Sequence, residues 1–289
     1  MKIPVLKPNT VLTTILLPAF ILAFVAAQPV QAQKKKAAGH PEAWPRFTLE
    51  AGGYLTNINS NFRLGSDRLG LGLEINFEDA LGLNTSSFTL AGSSLYRFSK
   101  NRRSAVRAGY FQIVRKATKT LKADLEVGDT VFTAGTTIGS GFNIGVFQVD
   151  YCYSFLMDER VNIYGSIGFY VLPISFSVNR DDKKSQQSNF TAPLPVLGLT
   201  TLFYLTPKFL LKEQLNLFYF STSNFEGSMT DIHLALEYHP WTHFAFGLGY
   251  NAFSINVETW KKAKILTGDL VGNVGYKQNG AVIYGVVKF

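Results

Sequence analysis

RVNIYGSIGFYVL, the segment from Arg160 to Leu172, alternates between apolar and more polar side chains at every second residue. In an extended strand, successive side chains point to opposite faces, so residues two apart lie on one face. This segment therefore predicts a β-strand with one apolar face. That face carries Val161, Ile163, Ile167, Phe169 and Val171, and the opposite face carries Asn162, Tyr164, Ser166 and Tyr170.

The same alternation recurs from Phe47 to the final residue, Phe289, and predicts an all-β chain. About ten strands fit the pattern, and eight or twelve strands fit it with small changes of boundary. An even number places both ends of the strand array on one side of a barrel. The ten predicted strands are 47–64, 86–98, 103–117, 140–156, 160–177, 191–205, 208–222, 227–238, 242–258 and 266–289.

Connections between these strands alternate in length, which is typical of an antiparallel transmembrane β-barrel with short periplasmic turns and longer outer loops. The short connections are 99–103, 157–160, 206–208 and 239–243, and the long ones lie around 118–140, 178–190, 222–227 and 259–266. Aromatic residues beside the short turns predict a girdle at the periplasmic membrane interface. They are Tyr96, Phe98, Tyr153, Phe155, Tyr204, Phe209, Tyr238 and Trp241.

The N-terminal part of the chain predicts two segments that precede the barrel. Residues 1–32 have a charged start, an apolar stretch and small residues near Ala32, the pattern of a cleaved signal peptide. Residues 33–46 show no periodicity and predict an exposed periplasmic arm. Residues 47–289 then form the predicted barrel.

Composition and the C-terminus restrict the location and the partners. The formal net charge of +8, which loss of the signal lowers by two, is mild and predicts no nucleic-acid partner. Cys152 is the one cysteine and cannot form an internal disulfide. The last strand places Val287 and Ile283 on the face of Phe289, an ending that predicts recognition by the outer-membrane assembly machinery. The predicted protein is a monomer in the bacterial outer membrane, in contact with lipids and lipopolysaccharide.

Five segments that are spread over most of the chain support this location. They are INFEDALGL (75–83), GDTVFTAGTTIGSGF (128–142), YSFLMDERVNIYGSIGFYVLPISF (153–176), APLPVLGL (192–199) and LEYHPWTHFAFGLGYN (236–251). Together they resemble a family of bacterial outer-membrane β-barrel proteins of uncharacterised function. The resemblance implies the barrel fold and the outer-membrane location, and it implies no catalytic residue.

Charged residues on the less apolar strand faces predict a polar network in the barrel lumen. In a narrow barrel such groups pair across the interior or line a small water path. The predicted network comprises Arg46, Glu50, Arg97, Arg103, Arg107, Asp150, Lys212, Asp231, His233, Glu237 and Lys288. Glu213 is an exception on an apolar face and indicates a bulge or an interfacial position. No catalytic, metal or cofactor site is predicted.

The leading functional prediction is a non-catalytic barrel with a structural, surface-interaction or narrow-pore role. One alternative is an outer-membrane hydrolase, either an omptin-like protease or a lipid A hydrolase. Asp231 and His233 share a strand face and could together activate water, although no Asp-x-Asp pair supplies the second acidic half that omptins use. A second alternative is a soluble exported β-binding protein.

The stretch GLEINFEDALGL, from Gly72 to Leu83, collects Glu74, Glu78 and Asp79 in a basic chain. It predicts a lid that folds over the first outer hairpin, with Arg63 and Arg68 available to offset the acids. A divalent-cation site that bridges this lid to lipopolysaccharide is the alternative, because carboxylates are good ligands for such cations.

Overall fold

The computed structural model describes residues 44–66, 70–71, 75–127, 130–180, 185–223, 225–259 and 272–289. The predicted signal peptide and the predicted arm up to residue 43 lie outside the described residues. Within the described ranges, no helix is long and apolar enough to cross a membrane.

Long strands dominate the described residues, and there is one short helix, α1 (Phe77–Leu81). The strands are β1 (Phe47–Ser66), β2 (Gly70–Leu71), β3 (Ile75–Asn76), β4 (Ser86–Arg97), β5 (Ser104–Thr120), β6 (Leu125–Val127), β7 (Thr130–Phe132), β8 (Thr137–Met157), β9 (Val161–Arg180), β10 (Ser185–Thr206), β11 (Phe209–Ser221), β12 (Phe225–Tyr238), β13 (Phe244–Thr259) and β14 (Gly272–Lys288).

Ten of these strands close into an antiparallel barrel. Their hydrogen-bonded order is β14-β13-β12-β11-β10-β9-β8-β5-β4-β1, and β1 also pairs with β14. The closing seam runs from Thr48 opposite Lys288 to Leu64 opposite Gly272. Because each of the ten strands has a neighbour on both sides, the wall has no free edge. The prediction of a closed, roughly ten-stranded all-β barrel is confirmed.

Several strands continue beyond their predicted ends on the side of the longer connections. β10 begins at Ser185, where the alternation predicts 191, and β9 continues to Arg180. The small hairpin of β6 and β7 is not predicted by the sequence. β14 runs through Gly280 as one strand, as expected. Glycine is required there, because a Cβ atom would overlap the Leu55 carbonyl across the seam.

The two faces of the wall exchange their polarity partway along β9. Near the short turns its outer face carries the exposed Ile167 and Phe169, whereas farther along it carries Ser175. The inner face changes in the opposite sense, to the buried Ile174 and Phe176. An apolar exterior is the pattern of a barrel in lipid, and a polar exterior around an apolar interior is the pattern of a barrel in water.

The same exchange occurs on β13. Its first half turns Phe246 and Leu248 outward, and its second half turns Asn256 outward while Ile255 and Val257 are buried inside. The barrel therefore has two parts. We name the part near the short turns the membrane section, and the part beyond the exchange the outer section.

The largest apolar core of the described residues lies inside the outer section. Aromatic rings pack against each other there, with Phe77 stacked on Phe176 at 4.8 Å and Phe142 5.9 Å from Tyr276 between ring centroids. The core includes Ile58, Phe77, Leu81, Ile113, Phe142, Ile174, Phe176, Phe225, Phe253, Ile255 and Tyr276. This packing fills the lumen toward its outer end.

Exposed aromatic side chains ring the exterior beside the short turns, as the sequence predicts. Phe155 and Trp241 are 55% and 61% exposed. Tyr204 was predicted in this girdle, and that prediction is wrong, because its side chain is 5% exposed and faces the lumen. Even-numbered residues of β10, such as Thr200 and Leu202, point inward, so position in the strand overrides proximity to the turn.

Phe169→Arg should destabilise the barrel by about 2–4 kcal/mol, because a guanidinium there would face hydrocarbon. The matched change Ser175→Arg lies on the same face of the same strand but in the outer section, and it should cost at most about 1 kcal/mol. Urea unfolding of the protein refolded into lipid vesicles measures both costs. Equal costs would contradict a water-exposed outer section.

Candidate functional site

Two ion pairs cross the middle of the lumen. The Lys212 ammonium lies 2.5 Å from one carboxylate oxygen of Glu50, and the other oxygen accepts a hydrogen bond from Ser93. The Arg107 guanidinium donates from Nε and Nη2 to Asp150, at 2.9 and 2.7 Å. All four charged side chains are on the inner faces of β1, β5, β8 and β11, where closure of the barrel brings distant parts of the chain together.

Neutral donors surround the carboxylate of Asp231. The Tyr170 hydroxyl donates to it at 2.8 Å, and the amides of Asn251 and Asn216 donate at 2.9 and 3.2 Å. Asn216 accepts a hydrogen bond from Arg107 through its amide oxygen, which joins this group to the Arg107–Asp150 pair. Asp231 and His233 share the inner face of β12, but these two described side chains do not hydrogen-bond to each other.

A second polar group lies closer to the short turns. The Tyr284 hydroxyl and His239 Nε2 donate to the two carboxylate oxygens of Glu237, at 2.9 and 3.0 Å. The Lys288 ammonium donates to His239 Nδ1 at 2.7 Å. His239 was not predicted in the lumen network, because it follows the last residue of β12 and strand alternation does not reach it.

Trp44 closes the periplasmic mouth of the barrel. Its indole nitrogen donates at 2.5 Å to the carbonyl of Asp158, in the turn between β8 and β9. Arg102 donates to the Trp44 carbonyl and Arg97 to the Pro45 carbonyl, both at 2.9 Å. The arm was predicted to be exposed up to residue 46, and this is wrong for Trp44 and Pro45, which are buried because they fold across the mouth.

The structure places most of the predicted network inside the barrel and two of its members elsewhere. Arg46 is exposed, and the Arg103 guanidinium donates to the carbonyls of Ser154 and Phe155 at the rim. Both residues lie outside the strands, where alternation no longer decides the direction of a side chain. The inward-facing members are Glu50, Arg97, Arg107, Asp150, Lys212, Asp231, His233, Glu237 and Lys288.

Helix α1 forms a lid that is inserted into the outer end of the lumen. Asn76 caps its N-terminus by accepting a hydrogen bond from the Asp79 amide, and Gly82 ends it with a positive φ of 74°. Phe77 and Leu81 are each 1% exposed, because they enter the core of the outer section. The five-residue helix is therefore part of the packed interior.

Glu78 connects the lid to the wall. Its carboxylate lies 2.5 Å from Arg115, and it accepts hydrogen bonds from the Ser60 amide and hydroxyl at 3.0 and 2.8 Å. Asp79 is exposed at the first turn of α1, and Lys119 donates to its backbone carbonyl. Glu74 lies outside the described residues.

Arg115 was not predicted to offset the lid acids. The two arginines that were proposed from the sequence, Arg63 and Arg68, have side chains outside the described part of the structure. Arg115 could have been found by the alternation of β5, since it points inward at the same parity as Arg107. The sequence does not show that the lid reaches far enough into the lumen for Glu78 to contact Arg115.

Two cavities of the lumen adjoin the central ion pairs. One, of about 90 Å³, lies around Tyr54, Tyr170 and Asp231. The other, of about 70 Å³, lies between the middle of the lumen and Trp44. Glu50, Arg107 and Lys212 line both cavities, so these side chains separate one from the other. Among the described residues, no cluster of three or more His, Cys, Asp or Glu is placed to hold a metal ion.

Glu213 faces outward from β11, on the lipid side of the wall. Its side chain is 8% exposed, and its Oε2 atom has no hydrogen-bond partner. The pairing is regular here, with Thr201 and Leu234 opposite, so the predicted bulge is absent at this residue. The irregularity of β10 and β11 lies instead between Tyr204 and Thr206.

The closed wall, the apolar exterior of the membrane section and the internally paired charges define an integral β-barrel of the bacterial outer membrane. No family model and no curated protein matches the chain. The outer membrane protease OmpT from Escherichia coli has a similar fold, with a TM-score of 0.51 at 9% identity over 84% of this chain and 96% of that chain. At this identity the similarity concerns the fold alone.

Two further solved structures match with lower TM-scores. Neisserial surface protein A is 14% identical over 84% of this chain and 97% of its own, with a TM-score of 0.33. The toluene transporter TodX from P. putida is 8% identical over 87% of this chain and 92% of its own, with a TM-score of 0.35.

Glu78→Gln should destabilise the protein by about 3–5 kcal/mol, because it leaves the buried Arg115 without its charged partner. The matched change Asp79→Asn affects an exposed neighbour in the same helix and should cost less than about 0.5 kcal/mol. Denaturant unfolding of the refolded protein measures both.

A chelator such as EDTA should leave these two values unchanged, since protein donors already occupy both oxygens of Glu78. Stabilisation of the wild type by Ca²⁺ that disappears in Glu78→Gln would instead favour the cation site.

Proposed function

We propose that this protein is a non-catalytic outer-membrane barrel with a closed lumen, which presents its outer section and lid as a rigid surface for interactions. The observation that carries this proposal is the filling of the lumen at successive levels. Trp44 lies at the periplasmic mouth, ion pairs cross the middle, and an apolar core with the inserted lid occupies the outer end.

The filled lumen argues against a continuous water path. Side chains commonly fill the interior of barrels of this size, and aqueous channels are typical of barrels with about sixteen strands or more. Here most charged groups of the membrane section pair with one another, and the outer core contains fully buried rings such as Phe142 and Phe253. A narrow pore would require both the core and the Glu50–Lys212 pair to open.

The contacts of Asp231 favour a structural role over a hydrolytic one. Its carboxylate already accepts hydrogen bonds from Tyr170, Asn216 and Asn251. The His233 ring is directed toward Tyr284, with 5.8 Å between ring centroids. A general base has to reach the proton that it abstracts from water or substrate. The apolar core of the outer section lies between the outer surface and this pair, so a peptide or lipid A has no described route to it.

The surroundings of the barrel follow from its exterior. Lipids cover the apolar wall of the membrane section, and lipopolysaccharide surrounds the outer section, whose wall carries polar residues such as Ser175 and Asn256. We place the protein, as a monomer, in the uncharacterised family of outer-membrane barrels that its segments resemble. Its last strand, followed by the exposed Phe289, serves as the contact for the assembly machinery.

In planar bilayers, the folded wild type should give no unitary conductance, because each level of the lumen is filled. Heat-dependent mobility on a denaturing gel identifies the folded fraction. A variant with Phe142, Phe176 and Phe253 changed to Ala hollows the outer core and should give a measurably higher conductance. This variant is the control that shows that the assay responds to this barrel. Reproducible conductance steps from the wild type would contradict a closed lumen.

The hydrolase alternative requires its own measurement. Folded wild type should not cleave fluorogenic peptides or lipid A. The change Asp231→Asn should lower only the stability of the protein, because the three donors around the carboxylate lose a charged acceptor. Cleavage by the wild type that is lost in both Asp231→Asn and His233→Ala would overturn the non-catalytic proposal.

A further inference from the structure

The cavity next to Trp44 has an unusual charge balance. It measures about 70 Å³, and we name it the periplasmic chamber. Its charged lining consists of Arg97, Arg107, Lys212, Lys288, Glu50 and Glu237. Four formal positive charges therefore face two negative ones in this lining, and after Asp150 outside the lining is counted against Arg107, one positive charge remains in excess. Such an excess of cations raises the local concentration of anions, and low-dielectric walls strengthen the effect.

Arg107 is incompletely paired in this lining. Its Nε and Nη2 atoms donate to Asp150, which leaves Nη1 on the other side of the planar guanidinium. Nη1 is buried and has no hydrogen-bond partner among the described residues. A buried donor without an acceptor costs free energy, so a group that accepts from Nη1 would be stabilised there.

Arg97 provides a second available cation. It is 3% exposed, and its guanidinium donates to the carbonyl of Pro45. Within the described ranges, no carboxylate forms an ion pair with it. Arginine donors match the geometry of oxyanions better than a point charge does. Arg97 and Arg107 thus both line one cavity, Arg97 without a carboxylate partner and Arg107 with one donor atom unpaired.

The larger cavity of the lumen has a different balance. Its lining includes the carboxylates of Glu50 and Asp231 together with the cations of Arg107 and Lys212. Positive and negative formal charges are equal there, and Asp231 already accepts hydrogen bonds from neutral donors. The excess of positive charge is therefore specific to the periplasmic chamber.

We propose that the periplasmic chamber binds a small oxyanion, of the size of inorganic phosphate, between Arg97 and Arg107. A volume of 70 Å³ admits roughly five water-sized groups, and phosphate has five non-hydrogen atoms. The anion enters from the periplasmic side, because Trp44 also lines the chamber and closes the mouth. This site is independent of the surface-interaction role, since it lies at the opposite end of the barrel from the lid.

Equilibrium dialysis with radiolabelled inorganic phosphate tests the site on the full-length protein, refolded in detergent without lipopolysaccharide. The wild type should take up phosphate saturably, at about one ion per barrel. Arg97→Gln should weaken binding at least tenfold, and Arg107→Lys should also weaken it because the fork of donors is lost. The matched control Arg103→Gln removes a rim guanidinium outside the chamber and should bind as the wild type does.

Heat-dependent mobility verifies that each variant is folded before its binding is compared. If Arg107→Lys does not fold, Arg97→Gln and Lys288→Gln carry the comparison, and both should bind more weakly than Arg103→Gln. Absence of saturable uptake by the folded wild type would overturn the proposal, and so would equal affinity in Arg97→Gln and Arg103→Gln.

Removal of the indole tests the route of entry. Trp44→Ala should release bound phosphate at least tenfold faster than the wild type, as measured by ³¹P exchange broadening. The site itself should still saturate, because both arginines remain. An unchanged release rate would contradict entry past Trp44.

Discussion

Backbone groups that face hydrocarbon must find their hydrogen-bond partners within the protein, and the seam between β1 and β14 fulfils this requirement. At the periplasmic end of the seam, Phe47 and Phe289 exchange two backbone hydrogen bonds of 2.9 Å. Closure then determines the rest of the interior. It encloses every second side chain of ten strands in a narrow space, where charged groups have to pair and apolar groups have to pack.

The medium outside the wall decides whether the inner face is filled by paired polar groups or by packed apolar groups. Where lipid surrounds the barrel, apolar residues are needed outside, and the inner face can be polar because its groups satisfy one another. Where water surrounds it, the inner face becomes the hydrophobic core, as at Ile174 and Phe176. The same chain thus uses the packing of a membrane barrel and that of a water-soluble barrel in succession, without a break in any of the strands concerned.

Features that depend on local alternation could be predicted from the sequence, and features that depend on closure could not. The strands and the inward direction of Glu50 and Asp231 follow from a period of two residues. The contact between Glu78 and Arg115 depends on how far the lid descends, and the burial of Trp44 depends on how the chain crosses the mouth. Arg46 and Arg103 were misplaced because they lie beyond the ends of the strands. The exchange of polarity is present in the sequence of β13, but it becomes interpretable only when inner and outer faces are known.

The contact of Trp44 with Asp158 has a consequence for the order of folding. Trp44 precedes β1, and Asp158 lies in the turn between β8 and β9, 114 residues away. The mouth that the indole occupies exists only after the first and last strands have met, so this contact forms late. Burial of this one indole therefore distinguishes a completed barrel from a chain whose hairpins have formed but whose ends are still apart.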